Sequence, residues 1–169
     1  MSIRILLADD QELIRQGLCE LIANENDMEV VAEAETGQGA VALAIHHAPD
    51  IVVMGINMPG LSGIDATKMI LEHDPDVKVI ALSIHSTRRY VEEMLAAGVS
   101  GYIVKHCAYE ELINAVRSVI RNRPYLGSHI MGEIADTYAT DFSSDRRIFS
   151  IADYSPEKRS GFDRRCVPR

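Results

Sequence analysis

Over its first 122 residues the chain alternates short aliphatic runs with longer stretches whose apolar positions recur at helical spacing. Residues 3–8, 29–34, 51–54, 77–82 and 101–104 are rich in Val, Ile and Leu and read as five strands. Three of these runs lack polar alternation, as strands covered on both faces should. Leu13, Ile14, Gly17, Leu18, Leu21 and Ile22 form one helical face, and Val41, Leu43, Ala44 and Ile45 form another. Residues 64–73, 87–97 and 108–121 supply three more helices. The last carries Glu110 and Glu111 near its start and Arg117 and Arg121 toward its end, the arrangement the helix dipole favours. Five β-α repeats of this length predict an α/β doubly wound, five-stranded parallel sheet with right-handed crossovers. In such a sheet a ligand site lies beyond the carboxyl ends of the strands.

The pattern changes after Arg121. Residues 122–127 read as a turn, and Ser128 is placed to cap a short helix carrying Ile130, Met131, Ile134, Ala135 and Tyr138. From about residue 141 the periodicity fades, and residues 155–165 have a disorder-prone composition.

Composition narrows the function classes. A chain of 169 residues, 47% hydrophobic, is long enough for one proper core plus an appendage. No apolar run approaches the roughly 20 residues that span a bilayer, and Met1 leads directly into a strand, so a soluble, cytoplasmic protein without membrane contact is expected. The net charge of −8 is uneven: residues 1–140 carry 20 acidic and 10 basic side chains, residues 141–169 carry 5 and 7. An acidic body argues against nonspecific attraction to nucleic acid or anionic lipid, since polyanion binding needs positive charge on the facing surface, which only the tail offers. Cys19, Cys107 and Cys166 are odd in number and lack a C-x-x-C pair, fitting neither a disulfide framework nor a zinc site. His46, His47, His73, His85 and His106 show no ligand spacing with cysteine or carboxylate, so surface roles are expected for them.

Candidate chemistry collects at the strand ends. The first strand finishes in Ala8-Asp9-Asp10, where adjacent carboxylates repel unless a cation offsets them. With a backbone carbonyl after the third strand they make an oxygen-only site of the kind Mg²⁺ prefers; the alternative is that Asp10 simply caps the first helix. Ser83 closes the fourth strand and Lys105 the fifth. A hydroxyl and an ammonium converging on carboxylates suit an acyl phosphate, each stabilising phosphoryl oxygens.

With these residues in register, the segments ILLADDQELIRQGL, PDIVVMGINMPGLSGIDAT, VIALSIHSTRRYVEEMLAAGVSGYIVK and YEELINAVRSVIRNRPYL closely resemble the receiver domain of bacterial two-component response regulators, the CheY-like fold, and in particular its NarL/FixJ (LuxR-type) branch. The resemblance covers about residues 2–126. It implies a receiver domain over residues 1–126, a linker helix over 127–140 and an Arg-rich tail over 141–169. It further implies that Asp9, Asp10 and the Asn57 carbonyl hold Mg²⁺, that Ser83 and Lys105 bind the phosphoryl group, and that the rotamer of Tyr102 reports the movement of Ser83. Its natural partner is a sensor histidine kinase or another signalling protein, with a homodimer possible. In this branch the linker normally leads to a helix-turn-helix, but the thirty or so residues after it here contain no pair of helical patterns able to form one. KRSGFDRR is weakly similar to Arg/Gly-rich tails, and a solubilising tail is the expected reading.

One position departs from the family pattern. The phosphoacceptor aspartate should fall at position 55, and the chain has Gly55. Glycine has no carboxylate to attack a phosphohistidine or to complete a metal site, Met54 and Ile56 offer none, and Asp65 on the third helix is too far along to substitute. The expectation is therefore a receiver in a two-component phosphorelay that is not an enzyme, lacks catalytic residues, binds Mg²⁺ weakly or not at all, and acts through phosphorylation-independent contacts. The alternatives are an acceptor-site variant of a phosphorylatable regulator, or a LuxR-type DNA-binding transcription regulator without its effector domain. Two consequences for the pocket are expected. Lys105, deprived of a partner, turns to Asp9 or Asp10, and Ser83 stays in its resting position with Tyr102 pointing outward toward the fourth helix.

Overall fold

The computed structural model describes residues 1–85 and 87–131. Strands β1 (Ile3–Ala8), β2 (Met28–Ala34), β3 (Ile51–Gly55), β4 (Lys78–Ser83), β5 (Gly101–Val104) and β6 (Tyr125–Leu126) form one parallel sheet in the order β2-β1-β3-β4-β5-β6. Helices α1 (Glu12–Ala23), α2 (Gly37–His47), α3 (Gly63–His73), α4 (Arg88–Ala97) and α5 (Ala108–Val119) connect them.

Both faces of the sheet are covered over β1, β3, β4 and β5, which is why these strands are mostly apolar, whereas the edge strand β2 leaves Glu29 and Glu33 exposed. Leu6, Ala8, Val52 and Met54 face α2, α3 and α4 with Ala40, Ala66, Ile70, Val91 and Met94. Their strand neighbours Ile5, Leu7, Ile51 and Val53 face α1 and α5, packing with Leu18, Ile22, Leu112, Val116 and Val119. Alternate strand residues thus separate into two cores across one sheet. On α1 the apolar face is narrower than its sequence suggests, because Leu13 is 81% exposed.

The sheet has six strands rather than five. Residues 122–127, expected as a turn, include β6, which is only two residues long and so carries no legible alternation. Backbone bonds tie it to β5, Tyr125 N donating to Ser100 O at 3.1 Å and Gly127 N to Tyr102 O at 2.8 Å, and the side chains of Tyr125 and Leu126 are buried in the cores on opposite faces of the sheet. Residues 128–131 then begin a helix, with the N–H groups of Ile130 and Met131 both donating to Gly127 O. Ser128 does not cap it. Its backbone N–H and hydroxyl donate instead to Glu111 Oε1, at 3.0 and 2.8 Å. The remainder of the expected linker helix and the Arg-rich tail lie outside the described residues.

Candidate functional site

The strand order reverses between β1 and β3, and ligands of open α/β sheets bind at such a switch point. Sheet register places Ala8 beside Met54, Gly55 beside Leu82, and Ser83 beside Val104. Asp9, Gly55, Ser83 and Lys105 therefore finish neighbouring strands at one rim.

At that rim Asp9 and Lys105 are paired. Lys105 Nζ lies 2.7 Å from Asp9 Oδ2 and donates to Oδ1 at 3.0 Å, with the two side chains only 11% and 3% exposed. A second bond from Nζ reaches Gln11 Oε1 at 3.1 Å. Asp9 Oδ1 also accepts from Gln11 N at 2.9 Å, whereas Oδ2 is buried in the ion pair without a directed hydrogen bond. Asp10 and Asn57 are exposed. Asp10 is not the cap of α1: that position belongs to Gln11, which makes no side-chain cap bond.

Asp9 itself is fixed from behind by a residue the sequence reading passed over. Arg15 is buried, and its Nη1 donates to Asp9 O at 2.6 Å while Nε and Nη2 reach Glu33 and Glu35 at 3.3 and 3.0 Å. An arginine inside an apolar helical face is a signal for such a buried clamp, since a guanidinium enters a core only with partners.

The expected outward rotamer of Tyr102 is not what is found. Its ring is fully buried in the α2–α3–α4 core, and its hydroxyl donates to His85 O at 2.9 Å. Burial pushes the phenol up to about 12, an effect the adjacent Ser83 hydroxyl opposes. Ser83 Oγ accepts from His85 N at 2.9 Å, and the His85 ring stacks on Tyr90 of α4, centroids 4.8 Å apart. His85, expected as a surface residue, thus clasps Ser83, Tyr102 and α4 together. The physical reason is satisfaction: a tyrosine buries its ring favourably when its hydroxyl finds an acceptor, and the β4–α4 loop supplies one without any phosphoryl group.

The sequence pattern of the response regulator receiver domain matches residues 5–117. The chain belongs to this family. Receivers similar to it occur in the transcriptional regulatory protein DegU of Brevibacillus brevis, 37% identical over 146 residues (86% of this chain and 62% of that protein), and in the response regulator UvrY of Escherichia coli, 36% identical over 133 residues (79% and 61%). The chain thus spans about three fifths of the length of these curated relatives. Among solved structures it resembles a LuxR-family two-component response regulator from Aurantimonas, with a TM-score of 0.78 at 32% identity, covering 82% of this chain and 99% of that one. The receiver domain of the putative regulator NarL from Mycobacterium tuberculosis gives 0.69 at 26%, covering 72% and 98%.

A receiver domain is a signalling module rather than an enzyme, and the family implies Mg²⁺ at the rim of the sheet. The donors available are oxygens, as a hard cation requires. As arranged they do not fit a resident Mg²⁺: the Asp9 carboxylate is taken by an ammonium, and Gly55 adds none. Asp65 does not fill the gap either, being bonded to Ser62 and lying 3.8 Å from Lys68 on the surface of this receiver. Among the described residues no helix is long and apolar enough to cross a membrane.

Proposed function

We propose that this receiver carries glycine at its phosphoacceptor position and signals through protein contacts that do not depend on phosphorylation. The observation that carries the reading is the state of the pocket. The Asp9 carboxylate stands over Gly55 and is neutralised by Lys105, so the groups that would serve a phosphoryl transfer are already satisfied by one another. Tyr102 and Ser83 meanwhile hold the β4–α4 loop inward through His85. In the family's logic an inward Tyr102 accompanies engagement of Ser83, so the face around α4 is presented in its signalling form rather than locked at rest. Arg88 and Arg89 on that face pair with Glu92 and Glu93 one turn on, leaving a solvated, charge-balanced surface suited to a protein partner such as a sensor kinase.

Mg²⁺ binding in this reading is weak, because a cation must displace Lys105 from Asp9. A second reading is supported by the three fifths of the relatives' length that the chain spans: the receiver part of a transcription regulator like DegU. A helix-turn-helix reading frame next to this one would favour it.

The test is incubation with acetyl phosphate and Mg²⁺ followed by intact-mass measurement. No adduct is expected on the native chain, and Gly55→Asp should gain one acid-labile phosphoryl group. A stable adduct mapped to a pocket residue of the native chain would overturn the reading.

A further inference from the structure

The chain leaves β5 through a 3₁₀ turn, Lys105–Cys107, and that turn carries His106 toward the segment leading out of the domain. His106 Nε2 lies 3.4 Å from Nε2 of His129, with ring centroids 4.7 Å apart and planes at 75°. The approach is built by its surroundings. Ser128, the neighbour of His129, is fastened to Glu111 by two bonds, and Gly127 is fastened to the Tyr102 carbonyl.

We propose that His106 and His129 chelate a divalent transition metal of the Zn²⁺ class through their Nε2 atoms. Two imidazole nitrogens about 2.0–2.1 Å from a tetrahedral Zn²⁺ stand about 3.3–3.4 Å apart, which is the observed spacing. The two rings are otherwise joined by one N–H···N contact whose donor is set by the tautomer, and an ion would take the place of that proton between the same two atoms. His106 is exposed and His129 partly so, which leaves an open route for the ion and for completing waters. The sulfur of Cys107 lies within 4.8 Å of a ring nitrogen of each, but Cys107 is buried and has an interaction of its own, and the site rests on the imidazoles.

Nitrogen donors set this site apart from the oxygen cluster around Asp9, since imidazole selects borderline metals and carboxylates select Mg²⁺. The ion would join the turn that follows Lys105 to the start of the helix at residues 128–131. Its effect is on how the chain leaves the receiver, separate from events at the carboxylate rim.

The experiment is calorimetric titration of the untagged full chain with Zn²⁺ alone, beside NMR of the imidazole nitrogens. One saturable equivalent is expected, with the Nε2 signals of both His106 and His129 shifting together. His106→Gln and His129→Gln should each weaken binding about tenfold or more, with thermal melting in the absence of zinc unchanged. A His46→Gln/His47→Gln variant, removing the adjacent ring pair whose centroids are 4.8 Å apart, should leave the affinity as it was. Absence of saturable binding, shifts confined to other histidines, or affinity indifferent to both Gln substitutions would overturn the proposal.

Discussion

The Asp9 carboxylate occupies the space that a side chain at position 55 would enter: a Cβ built on Gly55 would lie 2.9 Å from Asp9 Oδ2 and 3.2 Å from the Ala8 carbonyl. Glycine and the Asp9–Lys105 pair are therefore one arrangement, each permitting the other. Gly55→Asp should push Asp9 aside and set carboxylates against each other, outweighing the roughly 0.5–1 kcal/mol gained by removing a buried strand glycine. Urea denaturation should show the variant about 1–2 kcal/mol less stable in chelator, with the loss reversed by millimolar Mg²⁺. A variant equally stable in both conditions would mean that Asp9 does not respond to position 55.

Removing the other partner tests the pair directly. Lys105→Met leaves Asp9 buried without its counter-charge, and a loss of about 3 kcal/mol is expected in denaturant melts. Lys105→Met with Asp9→Asn should recover much of it, because the stranded charge is then gone. The single variant should also bind Mg²⁺ more tightly than the native chain, since the ammonium no longer competes.

These effects concern a rim whose members were legible in the sequence. Asp9, Ser83 and Lys105 could be placed because each directly follows or closes an aliphatic run, and runs buried on both faces are hard to misread. Tyr102 could be placed in the chain but not in its rotamer, which depends on a carbonyl of His85 contributed by a loop with no periodicity. Arg15 lay inside a helical pattern where only tertiary contacts reveal its three acceptors. The two-residue β6 and the meeting of His106 with His129 were invisible for a similar reason: both are made by chain segments distant in sequence.

Tyr102 gives a pH-dependent prediction. Its folded pKa of about 12 lies above the unfolded value near 10, so the contribution is fully present below pH 10 and is lost as pH rises from there through 12. Spectrophotometric titration should contain a phenol ionising near 12 that disappears in Tyr102→Phe. The same variant, which loses the bond to His85 O, should be about 1 kcal/mol less stable at neutral pH and show a weaker slope of stability between pH 10 and 12. A Tyr102→Phe protein that keeps the late-ionising phenol would place the buried hydroxyl elsewhere.

The short sixth strand has a mechanical meaning. Leu126 sits in register with Tyr102, and Gly127 N–H is bonded to the Tyr102 carbonyl. The backbone of the residue whose ring is drawn in by His85 is therefore the same backbone from which the chain departs. Residues 128–131 are mounted like a lever on that residue, so a shift of Tyr102 is delivered to the start of their helix through main-chain bonds without needing a relay of side chains.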